Sequence, residues 1–210
     1  MRLVIISVIA LALTGCHTLK KYDYAAETPQ FVMSGSRSVA VATEDSRPYV
    51  VSAEKGLTFV GILRSGFGVP SSVTTASGKP LADDFSSTIA RALEQKGFKS
   101  TAISVEAPIS PADVRELIAR SGAERLALVT INEWKSDTLV QTSLQYDVTL
   151  RIYDANGSQL AANRMSGNDN WGYDWSQPTT LAHAKRAVPI AYKRKLEELF
   201  ASEAVMSSLR

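Results

Sequence analysis

The 210-residue sequence predicts an α+β fold: a mixed or antiparallel sheet of about five to six strands with about two to three helices packed on one face. Three observations carry this. Residues 126–131 (Leu-Ala-Leu-Val-Thr-Ile) are apolar on both faces, as a central strand is. Leu144, Tyr146, Val148, Leu150 and Ile152 alternate with Gln145, Asp147, Thr149, Arg151 and Tyr153, the pattern of a strand that buries one face. Leu81, Phe85, Ile89 and Leu93 recur every four residues, which is the stripe of an amphipathic helix.

The elements follow in order. Val39-Ala40-Val41-Ala42 reads as a strand that stops at Glu44-Asp45-Ser46-Arg47-Pro48, where the proline and polar residues favour a turn. Residues 57–63 form a second strand, and residues 65–79, rich in Gly, Ser, Thr and Pro without periodicity, a long loop. Asp83 and Asp84 suit the start of the helix that carries Leu81 to Leu93, because acidic side chains favour the positive end of the helix dipole, and Gly97 closes it. Residues 98–105 make the next strand. Ser110-Pro111-Ala112-Asp113 is a capping box with proline at the first helical position, opening a helix that buries Val114, Leu117 and Ile118 and stops at Gly122. The central strand ends at Trp134. Asp154-Ala155-Asn156-Gly157 turns residues 144–153 into a hairpin with residues 160–165, since Asn and Gly tolerate positive φ. An aromatic-rich loop then leads into a helix over residues 180–199 that buries Val188, Tyr192, Leu196 and Leu199.

Composition bounds the function. With 45% apolar residues the chain can fill the core of one domain, and 23 Lys plus Arg against 21 Asp plus Glu leave no excess for a polyanion, so nucleic acid is not an expected partner. The lone cysteine cannot form an internal disulfide. Its position explains it: Arg2 is followed by an apolar run, residues 3–13, broken only by Ser7, and then by Thr14-Gly15-Cys16. This is the layout of an export signal, and it is about half the roughly 20 residues needed to span a bilayer. Leu13-Thr14-Gly15-Cys16 resembles the lipobox of bacterial lipoproteins, in which small residues precede a cysteine that receives diacylglycerol. The implied division is a cleaved signal peptide over residues 1–15, a lipidated N-terminus and flexible tether over 16–35, and a single α+β domain facing the periplasm over 36–210. Removing residues 1–15 takes away Arg2 and leaves 22 basic against 21 acidic side chains.

The resemblance to lipoproteins implies S-diacylglycerol and N-acyl groups on Cys16, three chains in all. A single fourteen-carbon chain binds only marginally, at about 0.8 kcal/mol per buried CH₂, so three anchor almost irreversibly. His17 follows Cys16 where an Asp tends to retain Gram-negative lipoproteins in the inner membrane, which implies the inner leaflet of the outer membrane for a Gram-negative source.

The lipobox, the Val-Ala-Val strand ending in Asp45-Ser46-Arg47-Pro48, the helix closed by Lys96-Gly97-Phe98, then Ile131-Asn132-Glu133-Trp134, Tyr146-Asp147-Val148 and the Asn156-Gly157 turn together resemble the YajG-type lipoproteins. More distantly the chain is similar to LpoB-like activators of peptidoglycan synthases, which are expected to have a much longer tether. The YajG-type resemblance implies a small periplasmic domain and brings no catalytic residues.

Chemistry-bearing residues are sparse. No serine sits in a G-x-S-x-G elbow, and after processing the histidines are His17 in the tether and His183, expected as a partly exposed helix residue. With Cys16 acylated, zinc ligands are too few, and no cofactor or metal is expected. Asn168-Asp169-Asn170-Trp171-Gly172-Tyr173-Asp174 lacks the spacing and closing Glu of a calcium loop, and Gly66-Phe67-Gly68 lacks a third glycine for a nucleotide loop. Asp83 and Asp84 diverge on a helix and suit its N-terminus better than paired acid–base work. Trp171, Tyr173 and Trp175 are the candidate binding loop, because exposed aromatic side chains anchor peptides and sugars; the alternative is that they close over the core as a lid. The expectation is a non-enzymatic, membrane-anchored module that binds or helps assemble another envelope component, a protein partner first and peptidoglycan or a peptidoglycan enzyme as the alternative.

Overall fold

A computed structural model describes residues 20–210. The predicted signal peptide, lipobox and Cys16 lie outside the described residues. The elements are β1 (Lys21–Tyr22), β2 (Ser38–Asp45), α1 (Pro48–Val51), β3 (Phe59–Arg64), β4 (Pro70–Thr75), α2 (Leu81–Glu94), β5 (Lys99–Ser104), α3 (Pro111–Ser121), β6 (Arg125–Thr138), β7 (Thr142–Asp154), β8 (Gln159–Asn170), α4 (Thr180–Phe200) and α5 (Glu203–Leu209). The fold is the expected mixed sheet with packed helices, and β6 is its spine. Along one edge β6 pairs with β7 over its whole length, from Arg125↔Asp154 to Thr138↔Thr142. Along the other it pairs in parallel with β2 through Val39↔Arg125 to Asp45↔Ile131, and then with β3 through Gly61↔Ser136 to Leu63↔Thr138. β5 extends the sheet beyond β2, β4 and β1 extend it beyond β3, and β8 beyond β7.

The larger core lies between the sheet and α2, α4 and α5. Val39, Val41, Ala127, Val129 and Ile131 point into it, and so does the apolar side of β7. At its centre Trp134 meets Phe85 edge-on at 5.2 Å and Tyr192 at 5.8 Å, and its Nε1 donates to the Tyr24 hydroxyl at 3.1 Å. A smaller core lies on the other face, where Ala40, Ala42, Leu126 and Leu128 pack under Val114, Leu117 and Ile118 of α3. The Ser110 capping box forms as predicted, with Gly122 in the left-handed conformation behind the helix. The hairpin turn forms too: Gly157 has φ +79, and the Asp154 carboxylate accepts from the amides of Asn156 and Ser158, each at 2.9 Å.

Five features differ from the sequence expectation, each for a physical reason. Helices cover both faces rather than one, because β2 and the first half of β6 are apolar on both sides and each side needs a cover. The sheet has eight strands rather than five or six, since β1 and β4 were hidden in segments read as irregular. β4 lies within the predicted loop at residues 65–79. Its Ser and Thr residues carry little apolar signal, and β3 and β1 supply the hydrogen bonds from either side. Trp134 does not end the central strand. The ladder is irregular between Ile131 and Glu133, and the strand continues to Thr138 with Ser136 and Thr138 facing inward. A Cβ at Gly61 would collide with the side chain and carbonyl of Ser136, so the β3–β6 pairing requires glycine there.

The fifth difference is the tether. Within residues 20–35, Tyr22, Tyr24, Phe31 and Met33 are buried in the main core, and Phe31 stacks on Phe200 at 4.5 Å. Arg91 donates to the carbonyls of Ala25 and Glu27, and the Gln30 amide donates to the Glu197 carboxylate at 2.7 Å. The segment therefore belongs to the domain. It crosses α2 and α4 in an irregular path, which leaves no period in its sequence.

Candidate functional site

The predicted aromatic loop follows β8. Trp171 donates its amide to the Thr142 carbonyl at 2.7 Å and Thr142 donates back to Gly172 at 3.0 Å, after which Gly172, at φ +62, turns the chain. Trp171 lies half-buried against the main core with the Arg194 guanidinium 5.4 Å over its ring. Tyr173 folds over His183 at 5.4 Å and donates its hydroxyl to the Gln177 carbonyl. Trp175 meets Tyr173 edge-on at 4.9 Å and is 85% exposed. Two rings of the three thus act as the lid and one points outward, so the loop does not present a flat aromatic surface.

His183 is buried rather than partly exposed, because Tyr173 covers it. Its Nδ1 accepts from the Asp174 amide at 3.3 Å, which places the proton on Nε2, and Nε2 has no protein partner among the described residues. The acidic run does not converge on a common point. Asp169 pairs with Lys195 at 2.9 Å, Asn170 donates to Gln141, and Asp174 accepts from Ser176 and Gln177. Among the described residues no group of three His, Cys, Asp or Glu side chains is placed to hold a metal.

The loop belongs to one end of the sheet, where three connections meet. β3 and β4 join through residues 65–69, a tight tip in which Gly68 has φ +79. β6 and β7 join through Leu139, Val140 and Gln141, and the Arg64–Asp137 pair, with contacts of 2.8 and 2.6 Å, ties these two hairpins together. The Thr142–Trp171 bonds put the aromatic loop beside them. β1 runs parallel to β4 in the register Lys21↔Thr74, so it points away from this end, with Lys21 level with the far end of β4. Gly66-Phe67-Gly68 accordingly shapes a hairpin tip, with Phe67 99% exposed.

A second feature is a cleft of about 560 Å³ outside the carboxyl ends of β2 and β5, lined by Asp45, Val51, Leu57, Asp83, Ser104 and Glu106. The edges of parallel strands commonly open such crevices. Val51 and Leu57 are exposed in it, and Ser104 donates to the Asp83 carboxylate at 2.7 Å. The sequence offered no periodic signal for this cleft, since it forms where β2 stops and β3 takes over the same edge of β6. Asp83 and Glu106 give it an acidic rim, Asp45 being already paired with Arg47, and no histidine lines it.

Asp84, one residue on, is buried in the first turn of α2. Burial pushes its carboxyl up to about 6, opposed by the hydrogen bond from Ser77 and reinforced by Asp23 and Asp83. The folded state therefore holds this proton more tightly than the unfolded chain. Its contribution favours folding below about pH 4 and is lost as the pH rises through about 6. Asp84→Asn should raise stability at pH 7.5 by about 1–2 kcal/mol and change little near pH 4. Urea unfolding at both pH values checks this, and equal effects at the two would remove Asp84 as the source.

No family model matches the chain, and no curated protein matches it. Solved structures do. XCC0632 from Xanthomonas campestris, of the DUF330 family, is 14% identical over 87% of this chain and 92% of its own, with a TM-score of 0.53, and it shares the fold. The hypothetical protein CT253 from Chlamydia trachomatis is 15% identical over 80% of this chain and 99% of its own, with a TM-score of 0.43. The LpoB C-terminal domain from Salmonella enterica is 12% identical over 67% and 87%, with a TM-score of 0.32.

Proposed function

We propose that the chain is a lipid-anchored, non-enzymatic lipoprotein of the bacterial cell envelope that holds a protein partner close to a membrane, with the outer membrane's inner leaflet as its seat. The observation that carries this is Leu13-Thr14-Gly15-Cys16 behind a short apolar run, four residues ahead of Lys20, where the packed chain already begins. The non-enzymatic reading is supported by where the reactive residues lie: acylation consumes the only thiol, and His183 sits under Tyr173 with its Nδ1 already engaged.

The partner surface in this reading is the cleft beside Val51 and Leu57. Leu57→Asp and Val51→Asp should each lower recovery of a partner from crosslinked envelopes by about fivefold or more, the loss of roughly 1 kcal/mol of interface burial. Unchanged recovery would move the contact elsewhere. Co-sedimentation of the mature protein with purified sacculi, lost in the same variants, would instead favour a peptidoglycan ligand.

A further inference from the structure

Nine large hydrophobic side chains are exposed among the described residues, and five of them gather at one end of the sheet. Phe67 and Val69 come from the β3–β4 tip, Leu139 and Val140 from the β6–β7 turn, and Trp175 from the aromatic loop. Exposed apolar side chains scattered singly need no explanation, whereas a cluster on three neighbouring tips does. The tips are also free of charge where they protrude: residues 65–69 are Ser-Gly-Phe-Gly-Val and residues 139–141 Leu-Val-Gln. Asp174, the one acid beside Trp175, turns its carboxylate to Ser176 and Gln177, and Asp137 below is neutralised by Arg64.

The entering chain limits how far this end can stand from the leaflet. The Lys20 carbonyl accepts from the Thr74 amide at 3.0 Å, and β1 then runs away from the hairpin tips alongside β4. Whatever path residues 16–20 take, they span at most about 14 Å. Val69 lies five residues before Thr74 in the sequence, roughly 17 Å back along β4. Read backwards from Tyr22 to Lys20, β1 heads toward the tips, and a lipid within about 14 Å of Lys20 keeps the domain close enough to its leaflet for that end to reach it.

We propose that this end is a membrane-seating surface in which Phe67, Val69, Leu139, Val140 and Trp175 enter the leaflet that holds the Cys16 lipid. The inference rests on the lipoprotein reading above and adds a fixed orientation to it. Aromatic side chains favour the interfacial zone, where an apolar ring meets the headgroups. The anchor alone would leave the domain free to tumble; the tips give it one pose.

The test uses the mature protein purified from membranes and reconstituted into vesicles of phosphatidylethanolamine and phosphatidylglycerol carrying brominated acyl chains. Trp134 is sealed in the core, so the emission lost in Trp175→Phe reports the loop tip. Bromolipid should quench that component about twofold or more, and Phe67→Asp and Val140→Asp should each halve the quenching or better, as expected if one apolar anchor is removed from the set. The mass of the N-terminal peptide and flotation with the vesicles report the anchor separately. A lipidated, floating protein whose Trp175 is not quenched overturns the seating surface and leaves the anchor standing. An unmodified protein that floats with Trp175 quenched overturns the anchor and supports the surface. An unmodified protein that does not float overturns both.

Discussion

Arg47→Met should destabilise the domain by about 3–5 kcal/mol, the range seen when one member of a buried ion pair is removed. Arg47 is fully buried at the point where β2 stops, and its guanidinium grips Asp45 through two parallel hydrogen bonds, Nε at 2.8 Å and Nη2 at 2.6 Å. Its Nη1 donates to the carbonyls of Phe59 at 2.7 Å and Trp134 at 3.1 Å. One side chain thus closes the gap on the edge of β6 between β2 and β3 and satisfies two backbone acceptors that the sheet leaves unpaired there. Truncation strands Asp45 as an unpaired buried charge. For that reason Asp45→Asn placed on top of Arg47→Met should recover part of the loss, which separates charge from packing. Urea midpoints of the two single variants and the double variant measure this, and a loss under about 1 kcal/mol for Arg47→Met would mean that water reaches Asp45.

Tyr24→Ala should cost about 3–5 kcal/mol, as large aromatic truncations in cores do. Tyr24 is fully buried, lies 4.6 Å from the Tyr192 ring, accepts from Trp134 Nε1 with its hydroxyl and accepts from Thr88 with its carbonyl. Tyr24→Phe keeps the ring and removes the acceptor, leaving the Trp134 indole N–H without a partner at a cost of about 1–3 kcal/mol. The ordering of the two variants is the diagnostic, since a flexible tether would register neither. Stability near that of the wild type for Tyr24→Ala would return residues 20–35 to a linker.

Legibility in the sequence followed the range of the interactions. α2, the capping box of α3 and the Asn156-Gly157 turn were readable because residues three to four apart decide them. β4 was not, because Ser71, Ser72, Thr74 and Thr75 become a strand only when β3 and β1 arrive with hydrogen bonds. The N-terminal segment misled for a related reason: Tyr22, Tyr24, Phe31 and Met33 are spaced to reach separate sites on α2, α4 and β6, so no period appears. Two tyrosines close together and the run Phe31-Val32-Met33 were the available signal. At the site, the sequence located the aromatic loop but not its geometry. That Tyr173 would fold over His183 while Trp175 turned outward depends on Gly172 and on the Thr142–Trp171 ladder, which are tertiary facts.

The two cores on either side of the sheet differ greatly in extent, and this makes the domain's cooperativity uneven. α3 is held by Val114, Leu117 and Ile118 and by the capping box at its start, whereas α4 is clasped between α2, the N-terminal segment and three strands. Opening α3 alone would leave the aromatic centre around Trp134 intact and bare Ala40, Ala42, Leu126 and Leu128, so α3 is the element expected to open first. The sheet face under α3 is thus the place where the native state first becomes sticky.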